Sequence, residues 1–256
     1  MANQASPYDG VVVEEWPAIT SKLIADHPLK PAEILDIALS AWASVWSTQI
    51  GRPPAQISLR DVNPPATVVG YFFEKIFAKE LAARYPRTWC GGVAGDEKDL
   101  HCLANAKYST EIKCSGQLGK RIFGNRSYGQ KIENDALAKK DKSGYFITVN
   151  FFGDRLNLVR FGWIDSSDWK AQKAATGQMA ALDDSVYKYK LSPLKGNYTL
   201  DAPIALLPGV GPKLAAECGQ HHISSINELL RLGDKTPPEL KRAYGAALLY
   251  KQIYAD

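Results

Sequence analysis

Residues 144–152 read Gly-Tyr-Phe-Ile-Thr-Val-Asn-Phe-Phe, and residues 155–164 read Arg-Leu-Asn-Leu-Val-Arg-Phe-Gly-Trp-Ile, with Gly153-Asp154 between them. Two runs rich in aromatic and β-branched residues, split by a two-residue turn signal, predict a β-hairpin. The chain must therefore build a sheet, although its earlier part is patterned for helices. From Pro31 to Ile50 the residues Leu35, Leu39, Trp42 and Trp46 recur at helical spacing, and Gly51-Arg52-Pro53-Pro54 ends that run. After a break at Asn63-Pro64-Pro65, Val69 to Tyr85 predicts a second helix with Phe72, Ile76, Phe77 and Leu81 as its buried stripe, stopped by Pro86. Short strand-like runs follow at Asp99–Leu103 and Tyr108–Cys114. Trp169–Leu182 is expected to be helical, residues 192–202 to be a turn-rich linker, and the rest to be short helices. The expected fold is α+β, in three layers (α/β/α): a mixed β-sheet core flanked by helices, with a small helical C-terminal region. The boundaries read as an N-terminal helical region packed on the core (1–65), the sheet core (66–195) and the helical C-terminal region (196–256).

With 256 residues, 45% of them hydrophobic, the chain can bury a substantial core. It has no apolar run of about 18 residues, so no membrane span is expected, and Met1–Gly10 does not read as a secretory signal. None of the four cysteines forms a C-x-x-C pair, and His101-Cys102 has no second close pair of ligands to complete a zinc site. Reduced thiols in a cytoplasmic protein are the simpler reading. The net charge is +4; nine Lys/Arg against four Asp/Glu fall between Lys107 and Lys142, so that stretch holds an excess as large as the whole chain's. Such a concentration suits a polyanionic partner.

Asp99 followed by Glu111-Ile112-Lys113 carries the most specific chemistry. On a strand, Glu111 and Lys113 point to one face and Ile112 to the other. A turn after Leu103 would pair the two strands and bring Asp99 beside Glu111. Cutting a phosphodiester requires an activated water and charge balance on the phosphoryl and leaving oxygens. Carboxylates holding a divalent metal, with a lysine nearby, meet both needs. By themselves a carboxylate and a lysine two apart on a strand are often a solvated face; the helix–strand–strand context favours catalysis here.

These residues resemble the PD-(D/E)xK nuclease superfamily over roughly Gly70 to Ile164, with Lys98 standing where the superfamily pattern has proline. The resemblance implies a restriction-endonuclease-like core, Asp99 and Glu111 as Mg²⁺ ligands, Lys113 as a catalytic lysine, and Glu74 on the preceding helix as an additional acid.

Gly116 to Gln130 reads as a loop leaving the Glu111 strand, rich in glycine, polar and basic residues. Arg and Lys bind phosphates or guanine, and Asn and Gln can pair with adenine. Gln117, Lys120, Arg121, Asn125, Arg126, Ser127, Tyr128 and Gln130 are the candidate DNA contacts, against the plainer reading of a basic surface loop. With the aromatic hairpin and Phe161-Gly162-Trp163-Ile164-Asp165, this run is similar to type II restriction endonucleases, the ScaI family among them. That resemblance implies a specific endonuclease paired with a protective DNA methyltransferase. In Trp163–Trp169, Asp165 or Asp168 is expected to cap the following helix, with a supporting acid role as the alternative.

Leu206 to Ala216 reads Leu-Leu-Pro-Gly-Val-Gly-Pro-Lys-Leu-Ala-Ala and matches a helix-hairpin-helix. Backbone N–H groups around Gly209 and Gly211, with Lys213, could hold a DNA phosphate, and Pro212 suits a first helical position. A tight turn serving only packing is the competing reading. Together these features point to a Mg²⁺-dependent, sequence-specific endonuclease on double-stranded DNA, working as a homodimer on palindromic sites; the superfamily resemblance implies 5′-phosphate and 3′-hydroxyl ends. Two alternatives stand beside it: a structure-specific repair or recombination nuclease, and a DNA-binding protein without catalysis.

Overall fold

A computed structural model describes residues 6–92, 97–125, 128, 142–172 and 179–256. The N-terminal part is helical: α1 (Trp16–Asp26) and α2 (Pro31–Trp46), each with proline in its first turn. A short ribbon, β1 (Gln49–Ile50) with β2 (Ile57–Ser58), then leads through α3 (Leu59–Val62) to the long helix α4 (Ala66–Arg84). The buried face of α2 is Ile34, Ile37, Ala38, Ala41, Trp42 and Val45. Of the expected stripe only Trp42 is fully buried, and Leu39 is exposed. The alanines let α2 approach its neighbours closely, which turns the larger Leu35 and Leu39 aside. On α4 the buried side chains are Val69, Phe73, Phe77, Ala78 and Leu81, with Phe72 and Ile76 only partly covered.

The central sheet gathers β3 (Trp89–Gly91), β4 (Leu100–Cys102) and β5 (Thr110–Ser115). After β6 (Phe123–Asn125) come the hairpin strands β7 (Gly144–Phe152) and β8 (Arg155–Ile164). Beyond them lie β9 (Trp169–Ala171), β10 (Met179–Leu182), α5 (Asp184–Tyr189) and β11 (Leu191–Pro193). The six-stranded sheet has the order β11-β8-β7-β5-β4-β3 and is mixed: β5 and β7 run parallel, the other neighbours antiparallel. The predicted hairpin forms as expected, Phe152 pairing with Arg155 across a turn in which Gly153 takes φ 58°.

Alternation explains why β7 and β8 are apolar nearly throughout. Tyr145, Ile147, Val149, Phe151, Val159, Phe161 and Trp163 face the core shared with α1, α2 and α4. Phe146 and Ile164 face a second cluster with Ile122, Tyr128, Trp169, Ala180, Leu182 and Val186. That second face is covered by a three-stranded sheet, β6-β10-β9, and by α5. The helix expected over Trp169–Leu182 is therefore replaced, in its described residues, by two strands. The stretch from 192 is not a bare linker either: β11 pairs with β8, and Thr199 and Leu200 are buried in a 3₁₀ turn.

The C-terminal helices α6 (Pro212–Gln220), α7 (Ile226–Leu230) and α8 (Lys241–Tyr254) close around a cluster of their own, including Leu207, Cys218, Ile226, Leu229, Leu240, Ala247 and Tyr250. Ser225 and Glu228 cap α7 reciprocally. All four cysteines are free thiols. Among the described residues no helix is long and apolar enough to cross a membrane.

Candidate active site

The strand β5 lies inside the sheet, held by β7 on one side and β4 on the other. Ile112 enters the main core, as its place between Glu111 and Lys113 predicts. Asp99 immediately precedes β4, and its carboxylate accepts a hydrogen bond from the Ile112 N–H at 2.8 Å. The acid is thus fixed to the backbone between the two other members of the motif. Lys113 Nζ donates to Glu111 Oε1 at 2.6 Å, and the Glu111 side chain is only 2% exposed. Asp99, Glu111 and Lys113 are therefore brought together as the spacing predicted.

The electrostatics of this cluster are unbalanced. Burial, and then the neighbouring Glu111 charge, push the Asp99 carboxyl up to about 6, with Glu74 adding to the rise; Lys113 and the Ile112 N–H oppose it. Burial disfavours the Lys113 ammonium, but Glu111, Tyr128 and Asp99 outweigh it and hold the proton on. Glu74 projects from α4, which packs along β5; Gly70, one turn earlier, lies so near Cys114 that a Cβ there would come within 3.0 Å of the Cys114 Cβ. Glu74 pairs with Lys75 at 3.0 Å, and its charge reaches Asp99 through space. Among the described residues no three His, Cys, Asp or Glu side chains converge as a metal cage, so the site offers carboxylates in a pair.

The segment after β5 is distributed differently from expectation. Gln117 and Asn125 are exposed, and Arg121 is exposed with a hydrogen bond to Asp184 at 3.3 Å. Lys120 is half-buried: its ammonium lies 4.6 Å from the Tyr250 ring centroid and 4.0 Å from that of Tyr254, and burial, with Arg160 nearby, lowers its pKa to about 8. It joins the core to α8 instead of standing in an open basic loop. Tyr128 is buried, and its hydroxyl donates to Glu111 Oε1 at 2.8 Å. Arg126, Ser127 and Gln130 lie outside the described residues.

Two residues that the sequence reading passed over hold this segment in place. Asn150 donates to the Arg121 carbonyl at 2.9 Å, and Arg160 donates to the Lys120 carbonyl at 2.9 Å and to Asn150 Oδ1 at 2.8 Å. Their signal was available: each is a polar residue inside a strand that is mostly apolar. Asp165 is the N-cap of a short 3₁₀ helix, Ser166–Asp168, and its N–H donates to the Asp168 carboxylate in a capping box, so the expected capping is met on a shorter turn; both acids also bind the buried Lys190.

In the C-terminal hairpin, Gly209 has φ 77°, Val210 is buried, Gly211 is the N-cap of α6 with Pro212 as its first residue, and Lys213 is exposed. The first arm is a three-residue 3₁₀ helix, Ile204–Leu206. A Cβ on Gly209 would come 3.3 Å from Arg242 Nη2, so a second cation stands at the turn.

Comparison with known proteins gives the family. The family described as ScaI restriction endonuclease matches residues 6–195, the span from the N-terminal helices to β11. The type II restriction enzyme ScaI of Streptomyces caespitosus is 36% identical over 185 residues, covering 69% of this chain and 79% of that protein. No solved structure matches. With a family match over most of its length and a relative of this similarity, the chain belongs to the ScaI restriction endonuclease family.

Proposed function

We propose that Asp99, Glu111 and Lys113 are the hydrolytic centre through which this chain, as a type II restriction endonuclease, cuts double-stranded DNA at a specific sequence. The observation that carries this reading is two carboxylates side by side beside one lysine, Glu111 buried and Asp99 half-buried, with Asp99 pushed up to about 6 by burial first and then by the Glu111 charge. Two buried like charges are unfavourable without a counter-charge. A pair of carboxylates also fits Mg²⁺, which is commonly held by one or two of them, with water and substrate phosphate filling its remaining positions. Bound there, Mg²⁺ would supply charge neutralisation for the phosphoryl oxygens and a lower pKa for the attacking water.

The protein's own groups have distinct tasks. The Ile112 N–H orients the Asp99 carboxylate. Glu111 keeps Lys113 charged and fixed at 2.6 Å, so an ammonium is available to hydrogen-bond the attacking water or a developing anionic oxygen. Glu74 adds negative charge from α4 and supports the pair. Products carry 5′-phosphate and 3′-hydroxyl ends.

DNA contact is assigned to Gln117, Arg121 and Asn125, which are exposed on the segment leaving β5. Arg126, Ser127 and Gln130 extend the same stretch of sequence. Gly209, Gly211 and Lys213 would hold a backbone phosphate, with Arg242 beside them. A homodimer in the cytoplasm, each protomer cutting one strand of a palindrome, and a cognate methyltransferase protecting the same site complete the reading.

The test is cleavage of long unmethylated DNA with Mg²⁺ or EDTA, by wild type, Glu111→Gln and Lys113→Ala. Discrete Mg²⁺-dependent fragments are expected. Loss of an electrostatic stabiliser of this kind lowers the rate by roughly 10²–10³, so either variant should lose at least that while still binding DNA. Wild-type turnover by Lys113→Ala overturns the assignment. Intact duplex with cut flaps or junctions would favour a structure-specific nuclease.

A further inference from the structure

Tyr128 sits where two parts of the molecule meet. Its chain position places it beyond the polar segment that leaves β5, yet its hydroxyl returns to the carboxylate of Glu111, 17 residues earlier, at 2.8 Å. That contact falls on Oε1, the oxygen that also accepts Lys113 Nζ at 2.6 Å. The ring is wedged in place. It meets Trp169 edge-on with centroids 4.7 Å apart, and it rests on Gly124, where an added Cβ would come 2.9 Å from Tyr128 Cγ and 3.1 Å from Trp169. Lys113 and Lys142 hold their ammonium groups 5.2 and 5.4 Å from the ring centroid, within reach of a cation–π interaction.

The packing of this pocket needs only the ring, which phenylalanine would supply. The hydroxyl is spent on the carboxylate. Lys113 and Tyr128 together fix where Glu111 Oε1 lies, and that constrains the direction in which the other oxygen faces. We propose that Tyr128 is a positioning residue for the reaction: its hydroxyl sets the Glu111 carboxylate in the orientation that binds the divalent cation. This inference rests on Glu111 being a metal ligand. Partners that orient a ligating carboxylate typically change metal affinity or activity by roughly 10–100-fold when removed.

The experiment compares wild type, Tyr128→Phe and Glu111→Gln. Mn²⁺ binding to the full-length protein is read from the loss of the free-ion paramagnetic resonance signal. Thermal unfolding, DNA binding in EDTA and single-turnover cleavage across a Mg²⁺ titration are measured alongside. Tyr128→Phe should unfold at the wild-type temperature and bind DNA in EDTA like wild type. Its Mn²⁺ affinity should be roughly 10–100-fold weaker, and its cleavage should need correspondingly more Mg²⁺. A residue whose ring served packing alone would leave the Mn²⁺ affinity in place, because phenylalanine keeps the ring. If Glu111→Gln loses Mn²⁺ binding while Tyr128→Phe keeps it, the ligand assignment stands and the positioning role is overturned. If Glu111→Gln also binds Mn²⁺ like wild type, the ligand assignment falls and takes this inference with it.

Discussion

Asp165, Asp168 and Lys190 form a cluster with the same chemical make-up as Asp99, Glu111 and Lys113: two carboxylates and an ammonium, withdrawn from solvent. The surroundings differ. Lys190 Nζ donates to Asp165 Oδ2 at 2.8 Å and to both oxygens of Asp168 at 2.8 and 2.9 Å. Asp165 also accepts from Trp163 Nε1 and Ser6 Oγ, and Asp168 accepts from the Asp165 N–H. The rings of Tyr8 and Trp16 flank the ammonium at 4.4 and 4.5 Å. In the Asp99 cluster the lysine is committed to Glu111, and Asp99 has no ion pair among the described residues. Burial raises the pKa of both Asp168 and Asp99, but the next influence has opposite sign: Lys190 lowers Asp168, whereas Glu111 raises Asp99 further. The same three charges can thus lock a fold or hold a site ready for a cation, according to whether their hydrogen bonds close on one another.

The largest effect expected from this contrast is on the closed cluster. Lys190→Met leaves two buried carboxylates facing each other without a counter-charge. Breaking a buried pair from one side costs roughly 3–5 kcal/mol, so urea unfolding at neutral pH should show a loss of that order. A loss below about 1 kcal/mol, the range of solvent-exposed pairs, would mean that water already screens Lys190 and that the two clusters do not differ as described.

The open cluster predicts the opposite sign. The folded-state pKa of Asp99, about 6, lies above its ordinary value of 3.8. The fold therefore binds the Asp99 proton more tightly than the unfolded chain does. The stability linked to that proton is complete below about pH 4 and is lost as pH rises through 6. In EDTA at pH 7.5, Asp99→Asn should be more stable than wild type by on the order of 1–3 kcal/mol, and the advantage should vanish near pH 4. If Asp99→Asn proves less stable than wild type in EDTA, Asp99 is a satisfied structural acid and the comparison breaks.

The parts of this architecture that were legible in the sequence are those governed by local pattern. The hairpin β7–β8 was readable because its runs are long, aromatic and β-branched, with glycine at the turn. Glu111 and Lys113 were placed on one strand by spacing alone. The parts that were not legible depend on contacts across the fold. Trp169–Leu182 contains five alanines and reads as helix, but Trp169 is drawn against Tyr128, and Leu182 into the cluster under Phe146; tertiary packing outweighs propensity there. The α2 stripe was misjudged because the helix is apolar on more than one side and its small residues make the closest approach. Tyr128 read as a DNA contact because its neighbours are polar, and no local pattern reveals that a phenol turns back to a strand 17 residues away. Lys190 meets Asp165 and Asp168 over 25 and 22 residues, with no spacing rule to join them.

The smallest predicted effect concerns His27, whose titration overlaps that of Asp99 and has the contrary sign. The ring is buried between backbone groups. The Leu29 N–H approaches Nδ1 at 3.2 Å, while Nε2 lies 3.0 Å from the Tyr108 carbonyl, which fits a neutral imidazole protonated on Nε2. Burial, partly offset by the hydrogen bonds to the Tyr108 and Leu29 backbone, lowers its pKa below 6.5. The unfolded chain therefore takes up the His27 proton first, and stability is lost as pH falls through 6.5. Wild-type melting curves between pH 7.5 and 5 should thus combine a gain from Asp99 with a smaller loss from His27. In the Asp99→Asn background the Asp99 gain is removed, so on going from pH 7.5 to pH 5.5 that variant should lose melting temperature relative to wild type. Replacing His27 as well, in Asp99→Asn/His27→Gln, should remove part of the remaining loss, and an unchanged profile would show that His27 is protonated without penalty.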